Sequence, residues 1–241
     1  MHCLRYTEID STQKVAISLA KEGAAEGMAV LSEVQTSGKS RRGQGWSSPP
    51  GGLYMSVVVH PDLMGLHLLS LTTGLEVRKE LASRASAQLL VKWPGDVVVE
   101  ESEGHVRKLA DVLTDVVNPT GLLPVAVVGL NLNAKRAMLP PDIAPRAVFL
   151  EDIASGPLKL QDIEEPLIYA VIRAARRISD EEQRSVLGKE INEVLWGVGR
   201  AVSIEGKRGI FVGIGAAGEA IVATEQGEEA FWSGDMRVED K

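Results

Sequence analysis

"QLLVKWPGDVVVEESEGHVRKLADVLTDVV", residues 88–117, decides the fold. Its first apolar run stops at Pro94, a second covers "DVVVEE", and a third covers "RKLADVLTDVV". Short valine-rich runs bounded by turn residues predict strands. Ser102 to Gly104 separate the second run from the third and predict a hairpin. Such a hairpin lays Lys108 antiparallel beside Asp96, so both side chains can reach one site. Downstream, "LLPVAVVGLNLN" predicts a further buried strand. Upstream, "LHLLSLTTGLEVRKELASR" suits a helix packed by Leu69, Leu75 and Leu81. "MAVLSEV" and "GLYMSVVV" predict two earlier strands. "STQKVAISLAKEGAAEG" predicts a first helix, capped by Ser11 or Thr12 and closed by Gly23 and Gly27. Helix, strand, strand, helix and then four strands is an α+β plan, a mixed and largely antiparallel sheet with helices on one face.

Beyond the proline-rich loop at Pro140, Pro141 and Pro145, "LIYAVIRAARRISDEEQRSVLGKEINEVL" is helical in pattern. The segment from Gly199 onward alternates short β runs with glycine turns, as a small antiparallel barrel does. A boundary near Asn192 then divides the chain into residues 1–191 and a C-terminal module, residues 192–241.

Composition narrows the function classes. The 241 residues are 44% hydrophobic and 24% charged, with a formal net charge of −7. Non-specific nucleic-acid binding is therefore not the expected task, and anion binding must come from a local basic patch. Cys3 is the single cysteine, which leaves no disulfide framework and no cysteine-based zinc site. No apolar run approaches the roughly 20 residues of a membrane span. The N-terminal residues lack the apolar segment of a secretion signal. A soluble, cytoplasmic protein without a membrane or nucleic-acid partner is expected.

The basic patch lies in "TSGKSRRGQGWSSPPGGLYMSVVV", residues 36–59. Glycines let a backbone turn its N–H groups toward a ligand, and Lys39, Arg41 and Arg42 can neutralise phosphate. The spacing is not that of a Walker loop. Trp46 can wall a ligand pocket. Asp96, just past a strand end, can hold Mg²⁺ directly or through water, and Lys92 precedes it. Asn131 and Asn133 interrupt an apolar strand and need hydrogen-bond partners, which a purine edge or a neighbouring backbone can supply. Each motif also has a plain structural reading: a solvated loop, an ordinary turn, a surface lysine, a helix cap.

In order, these pieces resemble a biotin protein ligase. "DSTQ" stands where that family has Ser-Thr-Asn. Gln35, "GKSRRGQGW" and "SSPPGG" match its Gln, Gly-Arg-Gly-Arg loop and Ser-Pro-x-Gly; "KWPGD", "KLADVLTD" and "VVGLNLN" match the next three motifs. "AVFLED" and "GRAVSIEG" resemble its connecting loop and small C-terminal barrel. The departures are Lys39 for the first loop arginine, Ser40 for the second glycine, Gly95 for an asparagine, Asp111 for a glycine and Val127 for a glycine.

The resemblance implies a fold of the class II aminoacyl-tRNA-synthetase and biotin-ligase type with an SH3-like barrel. It implies two steps: biotin and Mg·ATP form biotinyl-AMP, and a lysine of a biotin carboxyl carrier protein then takes the biotin. Lys108, Arg41 and Asp96 would be catalytic, with Asp96 on the metal. Ser11, Thr12, Gln13, Gln35, Gly38, Lys39, Ser40, Arg41 and Lys108 would bind biotin. Lys39, Arg41, Arg42, Trp46, Lys92 and Asn131 would bind the nucleotide. The site motifs begin so near the first residue that a ligase without a DNA-binding domain is expected. A free edge on the "VAVVGLNLN" strand would be compatible with a homodimer. Lipoate ligation, and an impaired homologue that binds biotin or adenylate without turnover, are the alternatives.

Overall fold

In the computed structural model, residues 2–39, 45–102, 105–118, 124–133, 135 and 139–239 are described. The first sheet contains β1 (Cys3–Ile9), β2 (Ala29–Lys39), β3 (Gly45–Ser48), β4 (Leu53–Val59), β5 (Leu89–Lys92), β6 (Asp96–Ser102), β7 (His105–Asn118) and β8 (Val125–Leu132). Its order is β1-β2-β4-β8-β7-β6-β5, with β3 attached to β2. β1 and β2 are parallel; the other pairs are antiparallel. The mixed sheet and the hairpin of β6 and β7 are as the sequence predicts.

The pleat explains where the helices α1 (Thr12–Lys21), α2 (Leu69–Ala82) and α3 (Gln161–Ser179) go. Every residue of β4 is buried, so both faces of that strand need cover. Leu31, Met55, Val57, Val128 and Leu130 point into the core shared with α2 and α3. Val30, Val58 and Val127 alternate with them and pack against Ala16 and Ala20 of α1. Burying each such side chain contributes about 1.5–3 kcal/mol. Helices on one face alone is thus corrected: α2 and α3 share a face, and α1 lies on the other.

Three further expectations change. β1 is absent from the sequence reading because its residues are mostly exposed; at the sheet edge it carries no alternation to detect. The long C-terminal helix breaks at Asp180, whose extended backbone and carboxylate, accepting from Gln183 N at 2.9 Å, cap α4 (Glu181–Asn192). β8 is no edge, since β4 and β7 flank it, so a homodimer through that strand loses its basis.

The C-terminal strands β9 (Ala201–Ile204), β10 (Lys207–Ile214), β11 (Ala220–Thr224), β12 (Gly227–Phe231) and β13 (Met236–Val238) form a separate antiparallel sheet, ordered β12-β11-β10-β9-β13. Among the described residues β12 and β13 do not pair, so these pairings do not close the sheet into a full barrel. Val202, Ile204, Phe211 and Met236 continue the core formed by α2, α3 and the first sheet. No helix of the described residues is long and apolar enough to cross a membrane.

Candidate active site

The α1 face of the first sheet carries a buried polar network in an otherwise apolar setting. Thr12 donates its backbone N–H to Gln35 Oε1 at 2.9 Å and its hydroxyl to the same oxygen at 3.1 Å. The Gln35 amide nitrogen donates to Ser48 Oγ at 2.9 Å and to Asn131 Oδ1 at 3.2 Å. Ser56 Oγ lies 2.9 Å from Thr12 Oγ1 and donates to Gln13 Oε1 at 2.8 Å. Gln13 Nε2 gives one proton to Asp115 Oδ2 and the other to Val127 O, both at 3.0 Å. A polar group buried this deeply is tolerated because it is paired.

Ser11 stands apart from that pairing. It precedes α1 in extended conformation but makes no side-chain cap. Its Oγ is buried and has no hydrogen-bond partner among the described residues. The capping role is thus not fulfilled by its hydroxyl, which lies beside Thr12 at the start of α1.

The second cluster forms at the β6–β7 hairpin. Val98 and Lys108 are register partners there. Lys108 Nζ lies 2.7 Å from Asp96 Oδ2 and 2.9 Å from Asp111 Oδ1. Asp96 and Asp111 are 4% and 2% exposed. Burial alone would lower the Lys108 pKa, but the two carboxylates outweigh it and hold the ammonium above the usual lysine range. Lys108 is therefore a fixed cation, not a proton donor at neutral pH.

The sheet joins the two clusters. Asp111 faces Asn131 across the β7–β8 pair, and Asn131 accepts from Gln35. A row of polar side chains thus runs from α1 through Gln35, Asn131, Asp111 and Lys108 to Asp96.

The sequence-predicted residues sort clearly. Ser11, Thr12, Gln13, Gln35, Asn131, Lys108 and Asp96 come together along this row. Gly38 and Lys39 pair with Trp46 and Gly45 at the junction of β2 and β3. Ser40, Arg41 and Arg42 lie outside the described residues. Lys92 Nζ stands over the Trp196 ring, 5.7 Å from its centroid, while its backbone pairs with Asp96. Asn133 serves the backbone, donating its amide to Lys108 O at 3.0 Å. Ser48, Ser56 and Asp115 were not anticipated. A lone serine inside the apolar run of β4 was the available signal for Ser56, and a buried serine needs a partner.

The order of these elements agrees with a match between residues 6–133 and the biotin/lipoate A/B protein ligase family. The chain belongs to that family. Among relatives in the family's neighbourhood, the bifunctional ligase/repressor BirA of Bacillus spizizenii is 26% identical over 251 residues, covering 98% of this chain and 74% of that protein. A biotin–[acetyl-CoA-carboxylase] ligase of Mycobacterium tuberculosis is 31% identical over 151 residues, covering 59% of this chain and 52% of that protein. In fold, the chain is similar to a biotin protein ligase of Aquifex aeolicus solved in complex with biotin and ATP. The TM-score is 0.81 at 24% identity, over 100% of this chain and 99% of the other. The family match ends at residue 133, just after β8, so it spans both polar clusters.

Proposed function

We propose that this chain is a biotin–protein ligase that uses ATP. The observation that carries the reading is the Lys108 ammonium, held by Asp96 and Asp111 at one end of a polar row whose other end is the Ser11, Thr12 and Gln35 network. A biotin carboxylate oxygen attacks the α-phosphorus, the bond to the bridging oxygen breaks, and pyrophosphate leaves. A lysine amine of a biotin carboxyl carrier protein then attacks the acyl carbon, loses a proton, and AMP leaves. Negative charge develops on phosphate and acyl oxygens in both steps, and a preorganised cation stabilises it without reorganisation.

In this reading Ser11 Oγ and the Gln35 network hold the ureido ring, since a polar head in an apolar slot needs matched donors and acceptors. Gln13, with its amide fully engaged inside the protein, orients Ser56 and Thr12. Lys108 bridges the biotin carboxylate and the α-phosphate. Asn131 borders the nucleotide, and on sequence grounds alone Trp46 walls its pocket and Lys39, Arg41 and Arg42 grip phosphate. No group of three His, Cys, Asp or Glu side chains converges among the described residues. Mg²⁺ would come as the counter-ion of ATP and offset its phosphate charge. Asp96 would give it one carboxylate oxygen. We also assign residues 1–191 to the catalytic part and 192–241 to a C-terminal part, because α4 ends at Asn192 and the strands after it form their own sheet. A cytoplasmic site of action belongs to the same proposal.

The test is pyrophosphate release from Mg·ATP with biotin, lipoate or neither, repeated with Lys108→Ala. Biotin-dependent release that disappears in the variant is the expected result. Release with lipoate alone would keep the adenylation chemistry and replace the substrate. Biotin binding without release would leave a binding protein in place of an enzyme.

A further inference from the structure

Asp111 stands where the family resemblance sets a glycine. It sits on β7 between the core residues Ala110 and Val112, and its side chain faces Asn131 on the opposite surface of the sheet. At 2% exposure it places a carboxylate oxygen 2.9 Å from Lys108 Nζ. Asp96 places another at 2.7 Å.

An ammonium has three N–H donors. Adenylation as proposed above, on which this inference rests, asks Lys108 to meet two further acceptors, the acid's carboxylate and an α-phosphate oxygen. Four anionic acceptors cannot share three donors, so one protein carboxylate must yield. The sheet order decides which. From β8 through β7 to β6, the row runs Asn131, then Asp111 and Lys108, then Asp96. An acid whose head is held at Thr12 and Gln35 reaches Lys108 from the β8 side. Asp111 is the carboxylate on that side; Asp96 is on the far side.

We propose that Asp111 is a positioning and specificity residue: it holds the Lys108 ammonium until substrate binds, and its charge must be displaced by the incoming carboxylate. It aims Lys108 along the row and at the same time weakens the binding of a carboxylate-bearing substrate, because two like charges compete for one cation in a site of low dielectric. The residue therefore sets affinity for the acid while leaving the recognition of its uncharged head untouched.

Asp111→Asn keeps the shape and an acceptor oxygen but removes the charge; Asp111→Gly removes the whole side chain. The full chain and both variants are titrated calorimetrically with biotin and with its alcohol analogue, which has the same head and no carboxylate. The KM for biotin and kcat are read from pyrophosphate release. Both variants are expected to bind biotin roughly fivefold or more tightly, as removal of a nearby like charge demands. Binding of the alcohol should change by less than about twofold, since the analogue carries no charge to repel. KM should fall with the biotin dissociation constant while kcat does not rise. Equal shifts for acid and alcohol would overturn the inference, as would weaker or unchanged biotin binding in variants of an active wild-type enzyme. A wild-type protein that neither binds biotin nor releases pyrophosphate would overturn the ligase reading itself, and this inference with it.

Discussion

Two glycines show how much of the site depends on single atoms. At Gly129, in the middle of β8, an added Cβ would stand 2.6 Å from Gln13 Oε1. The absence of a side chain is what lets Gln13 lie flat on the strand and meet Ser56 and Val127. Gly129→Ala should cost about 1–3 kcal/mol through overpacking and weaken biotin binding; urea denaturation and calorimetry would measure both. Gly95 is closed in by the helix beneath it. A Cβ there would approach Ser70 Oγ to 2.5 Å and Ser70 O to 2.6 Å, while one at Gly74 would approach Gly95 O to 2.6 Å. The departure from the family's asparagine is thus matched by close packing of α2 under the turn. Gly95→Asn, although it restores the family residue, should destabilise the protein by about 1–3 kcal/mol and leave pyrophosphate release no faster. A gain in rate with unchanged stability would contradict that account. Sequence alone presented Gly95 as a departure from the family's asparagine; only the packing shows that a Cβ there would meet Ser70.

At the scale of elements, α2, α3 and α4 are tied by ion pairs around one buried carboxylate. Glu76 accepts from Arg177 Nη1 at 2.8 Å, from Arg173 Nε at 3.1 Å and from Lys79 Nζ at 3.2 Å. Arg177 also reaches Glu190 of α4 at 2.6 Å. Burial alone would raise the Glu76 pKa, but hydrogen bonds from Arg173 and Arg177 and the charge of Lys79 outweigh it and hold the carboxyl below its usual range. Removing the carboxylate leaves Arg177 with Glu190 as its remaining partner and takes charged hydrogen bonds from Arg173 and Arg177, so Glu76→Ala should cost about 1.5–3 kcal/mol, measured by urea denaturation at neutral pH. The pH dependence has a definite sign. A depressed native pKa contributes stability that is complete above the ordinary glutamate value of about 4.3 and declines as pH falls through the lower native value. The stability gap between wild type and Glu76→Gln should therefore close on acidification below about pH 4, and a gap that persists there would refute the assignment. The acidic and basic residues of these helices were plain in the sequence. Their convergence on Glu76 was not, because it joins positions about a hundred residues apart.

For the whole molecule, the C-terminal sheet is fastened directly to the turn that presents Asp96. Trp93 Nε1 donates to Gly218 O at 3.0 Å, and the Trp93 ring is 2% exposed. The outer edge of β5 is closed by the chain after α4: Val91 N donates to Val194 O at 2.9 Å, and Trp196 N donates to Val91 O at 2.8 Å. Lys92 lies over the Trp196 ring from one strand, and Arg200 approaches that ring at 6.0 Å while pairing with Glu100. Trp93→Phe would keep most of the packing and leave the Gly218 carbonyl unpaired. A loss of about 1–2 kcal/mol is expected, seen in scanning calorimetry as a fall in Tm of about 2–4 °C per kcal/mol. An unchanged Tm would mean that this hydrogen bond contributes nothing net.

The local pattern by itself determined the α+β class, the β6–β7 hairpin, the placing of Lys108 and Asp96 within reach of one site and the motif order that places the chain in its family. These depend on period, turn residues and spacing, all of which are written along the chain. Tertiary structure alone decided that α1 covers the opposite face, that β8 is interior, that Asp180 divides the last helix, and that Asp111 turns onto Lys108. Those outcomes depend on which strand lies beside which and on which atoms then compete for the same space and the same charge. Neighbours in the folded sheet come from distant parts of the chain, so no local reading contains them.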